Sequence, residues 1–258
     1  MPTIDADDCP INVEIEGPEK APVLVFSNSL GTNLHMWDDQ AKHFAKKFRV
    51  VRYDQRGHGK SGAPSAPYTL ERLGKDVLAV LDGLKITRAN FCGLSMGGFT
   101  GMWLGRMAPE RIDKLILCNT AAKIGEPTFW NSRIVIVRTQ GMPAVVEAVL
   151  ERWFSKPFRE KSPQVVDRVR QMLLTTQPHG YAGCCAAIRD MDQRWDIGAI
   201  KLPTLIIAGT LDPATTIEHA DLIAERIKRA KYAKLEAAHL SNIERSPEYT
   251  AAVEKFLG

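Results

Sequence analysis

What this chain lacks narrows its class before any motif is read. No uninterrupted apolar run approaches the roughly 18 residues that a membrane-spanning helix needs, so no membrane partner is expected. Like charges are nowhere blocked together. The 34 basic and 30 acidic residues are spread over 258 positions, and a formal charge of +4 leaves no nucleic-acid footprint. The cysteines (Cys9, Cys92, Cys118, Cys184 and Cys185) are odd in number and show no C-x-x-C spacing, which argues against a zinc site or redox pair. They read as reduced core residues. The first eight residues, Met1 to Asp8, are acidic and lack the basic and apolar regions of a signal peptide, so a cytoplasmic location is expected. Repeats and low-complexity stretches are also missing.

What is present is ordinary for a globular domain: 45% hydrophobic and 25% charged residues. The first half alternates strand-like runs with helical periods. Strands are expected at Val23–Phe26, Phe48–Tyr53, Ala89–Cys92 and Lys114–Asn119, with a helix over Leu70–Leu84. Such alternation implies an α/β fold with a mostly parallel sheet and helices on both faces. Between 122 and 199 the pattern changes to amphipathic segments, such as Met142–Phe154 and Gln164–Thr175, with no strands between them. A core of residues 1–121 and 200–258 carrying a helical cap at 122–199 is therefore expected. The core resumes with a strand ending at Gly209, a helix at Ile217–Lys228, a short strand at Tyr232–Leu235 and a closing helix at Pro247–Leu257.

The most informative stretch is Gly93-Leu94-Ser95-Met96-Gly97. G-x-S-x-G alone recurs by chance, but here an apolar run precedes it. Phe99, Met102, Trp103 and Met107 follow at helical spacing. A strand turning directly into a helix puts the middle residue in a strained backbone conformation, which only small neighbours permit. Ser95 is thus the candidate nucleophile. It needs a base and a group to orient that base, both on loops at the same edge of the sheet. His239 and Asp212 follow the later strands in the order Ser, Asp, His that this topology uses. His35, His43, His179 and His219 lie in or beside helical segments and read as solvated or capping. His58, in the Gly-rich loop after Tyr53, reads as loop structure, and Asp54 as a turn residue. Attack on a carbonyl also needs preset donors for an oxyanion. The backbone N–H groups of Met96 and of Leu30, in the loop after Val23–Phe26, are the candidates.

The elbow Gly93–Gly98, the loop Tyr53-Asp54-Gln55-Arg56-Gly57-His58-Gly59-Lys60-Ser61 and the spacing to Asp212 and His239 resemble the α/β-hydrolase superfamily along essentially the whole chain. Asn28 and Ser29 stand where many members begin the oxyanion loop with His-Gly. Within the superfamily the chain looks most like the 3-oxoadipate enol-lactonases of the β-ketoadipate pathway. The stretches that carry this are Ser27–Gly31, Arg152-Trp153-Phe154 and Gly183–Asp192.

That resemblance implies hydrolysis of a small anionic lactone by a Ser-His-Asp triad, with no metal and no organic cofactor. The substrate's carboxylate needs a partner. The segment 122–199 holds eleven basic against eight acidic residues, and Trp130 and Arg133, three apart, share a helical face there. They would supply an apolar wall and a carboxylate contact, and Trp153 is a second lining candidate. Alternatives are a general carboxylesterase, a C–C hydrolase, a cofactor-free haloperoxidase-like perhydrolase or a hydrolase-like signalling receptor. Oligomeric state stays open, a homo-oligomer included.

Overall fold

The apolar runs become strands buried from both sides, as a sheet covered on each face requires. The structure is a computed structural model that describes residues 3–65 and 67–258; of the acidic N-terminal stretch, Met1 and Pro2 lie outside the described residues. Its strands are β1 (Thr3–Ala6), β2 (Cys9–Glu16), β3 (Val23–Ser27), β4 (Arg49–Tyr53), β5 (Ala89–Leu94), β6 (Ile112–Cys118), β7 (Thr204–Gly209) and β8 (Lys231–Leu235). They form one sheet in the order β1-β2-β4-β3-β5-β6-β7-β8. From β4 to β8 the pairs are parallel, whereas β1–β2 and β2–β4 are antiparallel. No strand is expected at 3–16 from the sequence reading above, yet two occur. Strand β2 runs from a buried stretch, Ile11-Asn12-Val13, to half-exposed Glu14–Glu16 rather than alternating. Every residue of β5 and β7 is buried.

The helices are α1 (Asp38–Phe44), α2 (Leu70–Gly83), α3 (Met96–Met107), α4 (Pro127–Gln140), α5 (Pro143–Trp153), α6 (Lys156–Lys161), α7 (Pro163–Thr175), α8 (Pro178–Asp190), α9 (Ile217–Arg226), α10 (Ser241–Glu244) and α11 (Ser246–Leu257). Helices α4 to α8 form the insertion between β6 and β7, and each carries a proline in its first turn, where the missing N–H is harmless. Met107, placed on the apolar stripe of α3 by its spacing, is in fact exposed, because the helix ends there and only its first three turns pack on the sheet. All five cysteines are buried and unpaired. Among the described residues no helix is long and apolar enough to cross a membrane, and no three His, Cys, Asp or Glu side chains gather as metal ligands.

Candidate active site

The turn from β5 into α3 places Ser95 at φ 57° and ψ −113°, a conformation that L-residues avoid. Hydrogen bonds hold it there. The Ser95 N–H donates to Cys118 O at 2.9 Å, and its carbonyl accepts from the Thr120 hydroxyl at 2.9 Å. Gly97 N–H donates to Asn28 O at 2.9 Å, and a Cβ on Gly97 would strike the Ser27 carbonyl. The small residue is therefore what lets the elbow sit against the loop after β3.

Asp212 and His239 arrive from neighbouring strands. The turns after β7 and β8 are zipped together by Thr210 N–H to Leu235 O (2.8 Å) and Leu211 N–H to Ala237 O (3.0 Å). This brings His239 Nδ1 to 2.8 Å from Asp212 Oδ2. The same oxygen accepts from the Thr215 hydroxyl (2.6 Å) and from Asn119 Nδ2 (3.0 Å). Asp212 Oδ1 accepts from the N–H groups of Ala214 and Thr215 at 2.8 and 3.0 Å. Burial by itself would raise the Asp212 carboxyl. The neighbouring imidazole and these donors outweigh it and hold the group down at about 2. It is a fixed anion, oriented at every lone pair the chain can reach.

Ser95 and His239 both open onto a cavity of about 260 Å³, lined by Leu30 on the core side and by Phe129, Trp130, Arg133, Arg152, Trp153 and Tyr181 from the inserted helices. Its lining includes no carboxylate. Trp153 lies roughly parallel to the His239 ring at 6.4 Å, and Trp130 gives its indole N–H to Ile124 O at 2.9 Å, leaving an apolar face for the cavity. The guanidiniums of Arg133 and Arg152 lie 5.3 and 5.8 Å from the Phe129 ring. Among the described residues neither arginine meets an acidic partner; the one hydrogen bond of the Arg133 guanidinium there is to the Tyr181 hydroxyl, at 3.3 Å. Burial, and then the like charge of Arg133, pull Arg152 below the usual arginine range. Two half-buried cations with no acidic partner among the described residues present positive charge that an anion would complement.

A family model described as the α/β hydrolase fold matches residues 22–246. The chain belongs to the α/β hydrolase fold family. It is 44% identical to 3-oxoadipate enol-lactonase 2 of Acinetobacter baylyi over 98% of this chain and 94% of that protein. With 3-oxoadipate enol-lactonase 1 of the same organism the identity is 41%, over 96% and 92%. A crystal structure of the enol-lactonase from Burkholderia xenovorans LB400 superposes with a TM-score of 0.98, at 46% identity and over 99% of each chain.

In this α/β hydrolase the N–H groups of Leu30 and Met96 donate to no group among the described residues, although both neighbours of Leu30 in the turn are engaged. Asn28 replaces a histidine side chain by bridging Tyr53 O (2.9 Å) and the Trp37 indole (3.0 Å), which anchors the loop. Asp54 is buried and binds Leu34 N–H, Lys60 N–H and Asn12, so it ties turns together. His35, His43 and His179 pair with Asp38, Glu254 and Ala63 O away from the cavity. His219 caps α9, accepting from Thr216 N–H at 3.1 Å, but it also lines the cavity, which its helical position did not reveal. Arg152, Asn119 and Thr215 are site residues beyond the sequence expectations. Asn119 had a legible signal, a polar residue ending an apolar strand on the edge that carries Ser95.

Proposed function

We propose that this α/β hydrolase opens 3-oxoadipate enol-lactone to 3-oxoadipate, with Ser95 as nucleophile, His239 as general base and acid, and Asp212 as the orienting anion. The observation that carries the reading is one cavity lined both by Ser95 and His239 and by two arginines with no acidic partner among the described residues. A lactone bearing a carboxylate needs both. The enol-lactonase names of relatives that align along nearly the whole chain point to the same substrate.

The His239–Asp212 bond puts the imidazole proton on Nδ1 and leaves Nε2 as acceptor. Ser95 Oγ attacks the lactone carbonyl and its proton passes to Nε2, while the carbonyl oxygen becomes an oxyanion facing the N–H groups of Leu30 and Met96. The oxyanion then collapses and the ring C–O bond breaks. The departing enolate oxygen takes the proton from His239, and the enol tautomerises to the ketone. Water gives a proton to His239 as its oxygen attacks the acyl carbonyl; collapse breaks the bond to Ser95 Oγ, which takes that proton back from His239, and the dicarboxylate leaves. The segment 122–199 acts as a cap that supplies selectivity: Arg133 and Arg152 hold the carboxylate, and Trp130 and Trp153 wall the ring.

Ultraviolet decay of freshly generated enol-lactone, run beside p-nitrophenyl acetate, tests the assignment. Saturable lactone loss that far outruns the simple ester and vanishes in Ser95→Ala is expected. Ester turnover without lactone turnover would move the substrate elsewhere in the superfamily.

A further inference from the structure

His58 is fully buried, does not line the cavity, and has both ring nitrogens engaged by backbone. Gly31 N–H lies 2.8 Å from Nε2, and a backbone N–H can only donate, so Nε2 is the acceptor. The proton therefore sits on Nδ1, donated to Arg56 O at 3.1 Å. Arg56 is itself anchored: its guanidinium donates to the buried Asp76 through two bonds of 2.6 and 2.7 Å. Burial pushes His58 below the ordinary histidine range, in keeping with the neutral ring these two bonds demand.

The residue held by Nε2 is the one after Leu30. Ser29 to Thr32 form a four-residue turn closed by Thr32 N–H to Ser29 O at 3.2 Å, with Gly31 at φ +85° as the third residue of a type II turn requires. In such turns the central peptide, here Leu30–Gly31, can flip by rotation of its two flanking torsions. The His58 bond fixes its N–H side, and the Gly31 carbonyl accepts from the Thr176 hydroxyl at 3.2 Å.

We infer that His58 is a positioning residue for the oxyanion site: by fixing the Leu30–Gly31 peptide through Gly31 N–H it holds the turn whose preceding peptide, Ser29–Leu30, carries the free Leu30 N–H. This rests on the proposed role of Leu30. The rigid path runs from Asp76 through Arg56 and His58 to the turn. It makes the loop after β4 part of the catalytic geometry without any contact with substrate.

His58→Gln and His58→Asn separate this from a loop-building role. A glutamine carbonyl reaches the place of Nε2 and can accept from Gly31, whereas an asparagine reaches only the Nδ1 side. Both are compared with His58→Ala in p-nitrophenyl acetate turnover, in inhibition by phenylboronic acid, which forms a tetrahedral adduct on a serine, and in inhibition by adipate as a ground-state dicarboxylate. The Asn and Ala variants should lose about 10- to 100-fold in kcat and in boronate affinity, short of the about 10²- to 10³-fold of deleting an oxyanion donor outright. Their KM and adipate inhibition should move by less than about threefold, and the Gln variant should stay near wild type. Equal boronate affinity in the Gln and Asn variants would overturn the inference, as would parallel weakening of boronate and adipate. If His58→Ala does not fold, the Gln–Asn pair decides alone. Boronate binding that Ser95→Ala leaves untouched would overturn the Ser95 reading instead, so the two failures are distinguishable.

Discussion

The two ends of the cavity are built on opposite principles. On the core side the orienting carboxylate is fully engaged: Asp212 accepts five hydrogen bonds, from His239, from the Thr215 side chain and backbone, and from Asn119 and Ala214. Ser95 is fixed in a strained backbone by contacts on both sides. At the insertion end Arg133 and Arg152 are half-buried with no acidic partner among the described residues. The Asp212 network is satisfied within the chain, whereas the two arginines of the inserted helices have no acidic partner among the described residues, so a change at the arginines disturbs no satisfied network.

The comparison can be broken by perturbing each end. Ser95→Ala should keep its melting temperature and circular dichroism while losing about 10³-fold or more in turnover; activity within tenfold of wild type would remove Ser95 from the mechanism. Breaking a satisfied pair in the core should cost stability first. Asp76→Ala removes the buried partner of Arg56 and should lower unfolding free energy by about 3–5 kcal/mol in urea melts, with a kcat loss below the transition no larger than that of His58→Ala. At the other end the sign reverses. Arg152→Met should raise KM for the anionic lactone about 10- to 100-fold, the worth of a charged hydrogen bond, with p-nitrophenyl acetate hydrolysis and stability unchanged or improved.

The smallest effect is the pH dependence of Asp212. Its carboxyl is held at about 2 against an ordinary 3.8, so its ionisation stabilises the fold fully above that ordinary value and ceases to do so as pH falls towards the folded one. The stability gap between wild type and Asp212→Asn should therefore shrink by on the order of 2 kcal/mol between about pH 5 and pH 2. A gap independent of pH in that window would mean that Asp212 carries no depressed ionisation.

The core end was readable because its constraints are local. Gly93, Ser95 and Gly97 fall within five residues, and their spacing encodes a backbone turn whatever surrounds it. Strand and helix periods in β3 to β8 are likewise written in neighbouring residues. The strands at 3–16 carry little local signal, since β1 is short and acidic and the pattern of β2 is broken by polar and proline residues. Arg133 could be picked from its helix face with Trp130, but Arg152 sits on a different helix, and nothing in either helix alone marks them as facing one another.

The sequence by itself determined the order of elements, the strained serine, and Asp and His placed on loops at one sheet edge, because periodicity and backbone conformation are set by residues a few positions apart. Only the tertiary structure decided that two arginines of the inserted helices share a cavity with no acidic partner among the described residues, and that His58 takes the N–H of Gly31, 27 positions away. Those facts depend on how separate elements pack. A side chain's neighbours across such distances are fixed by the whole core's fit, which no local pattern records.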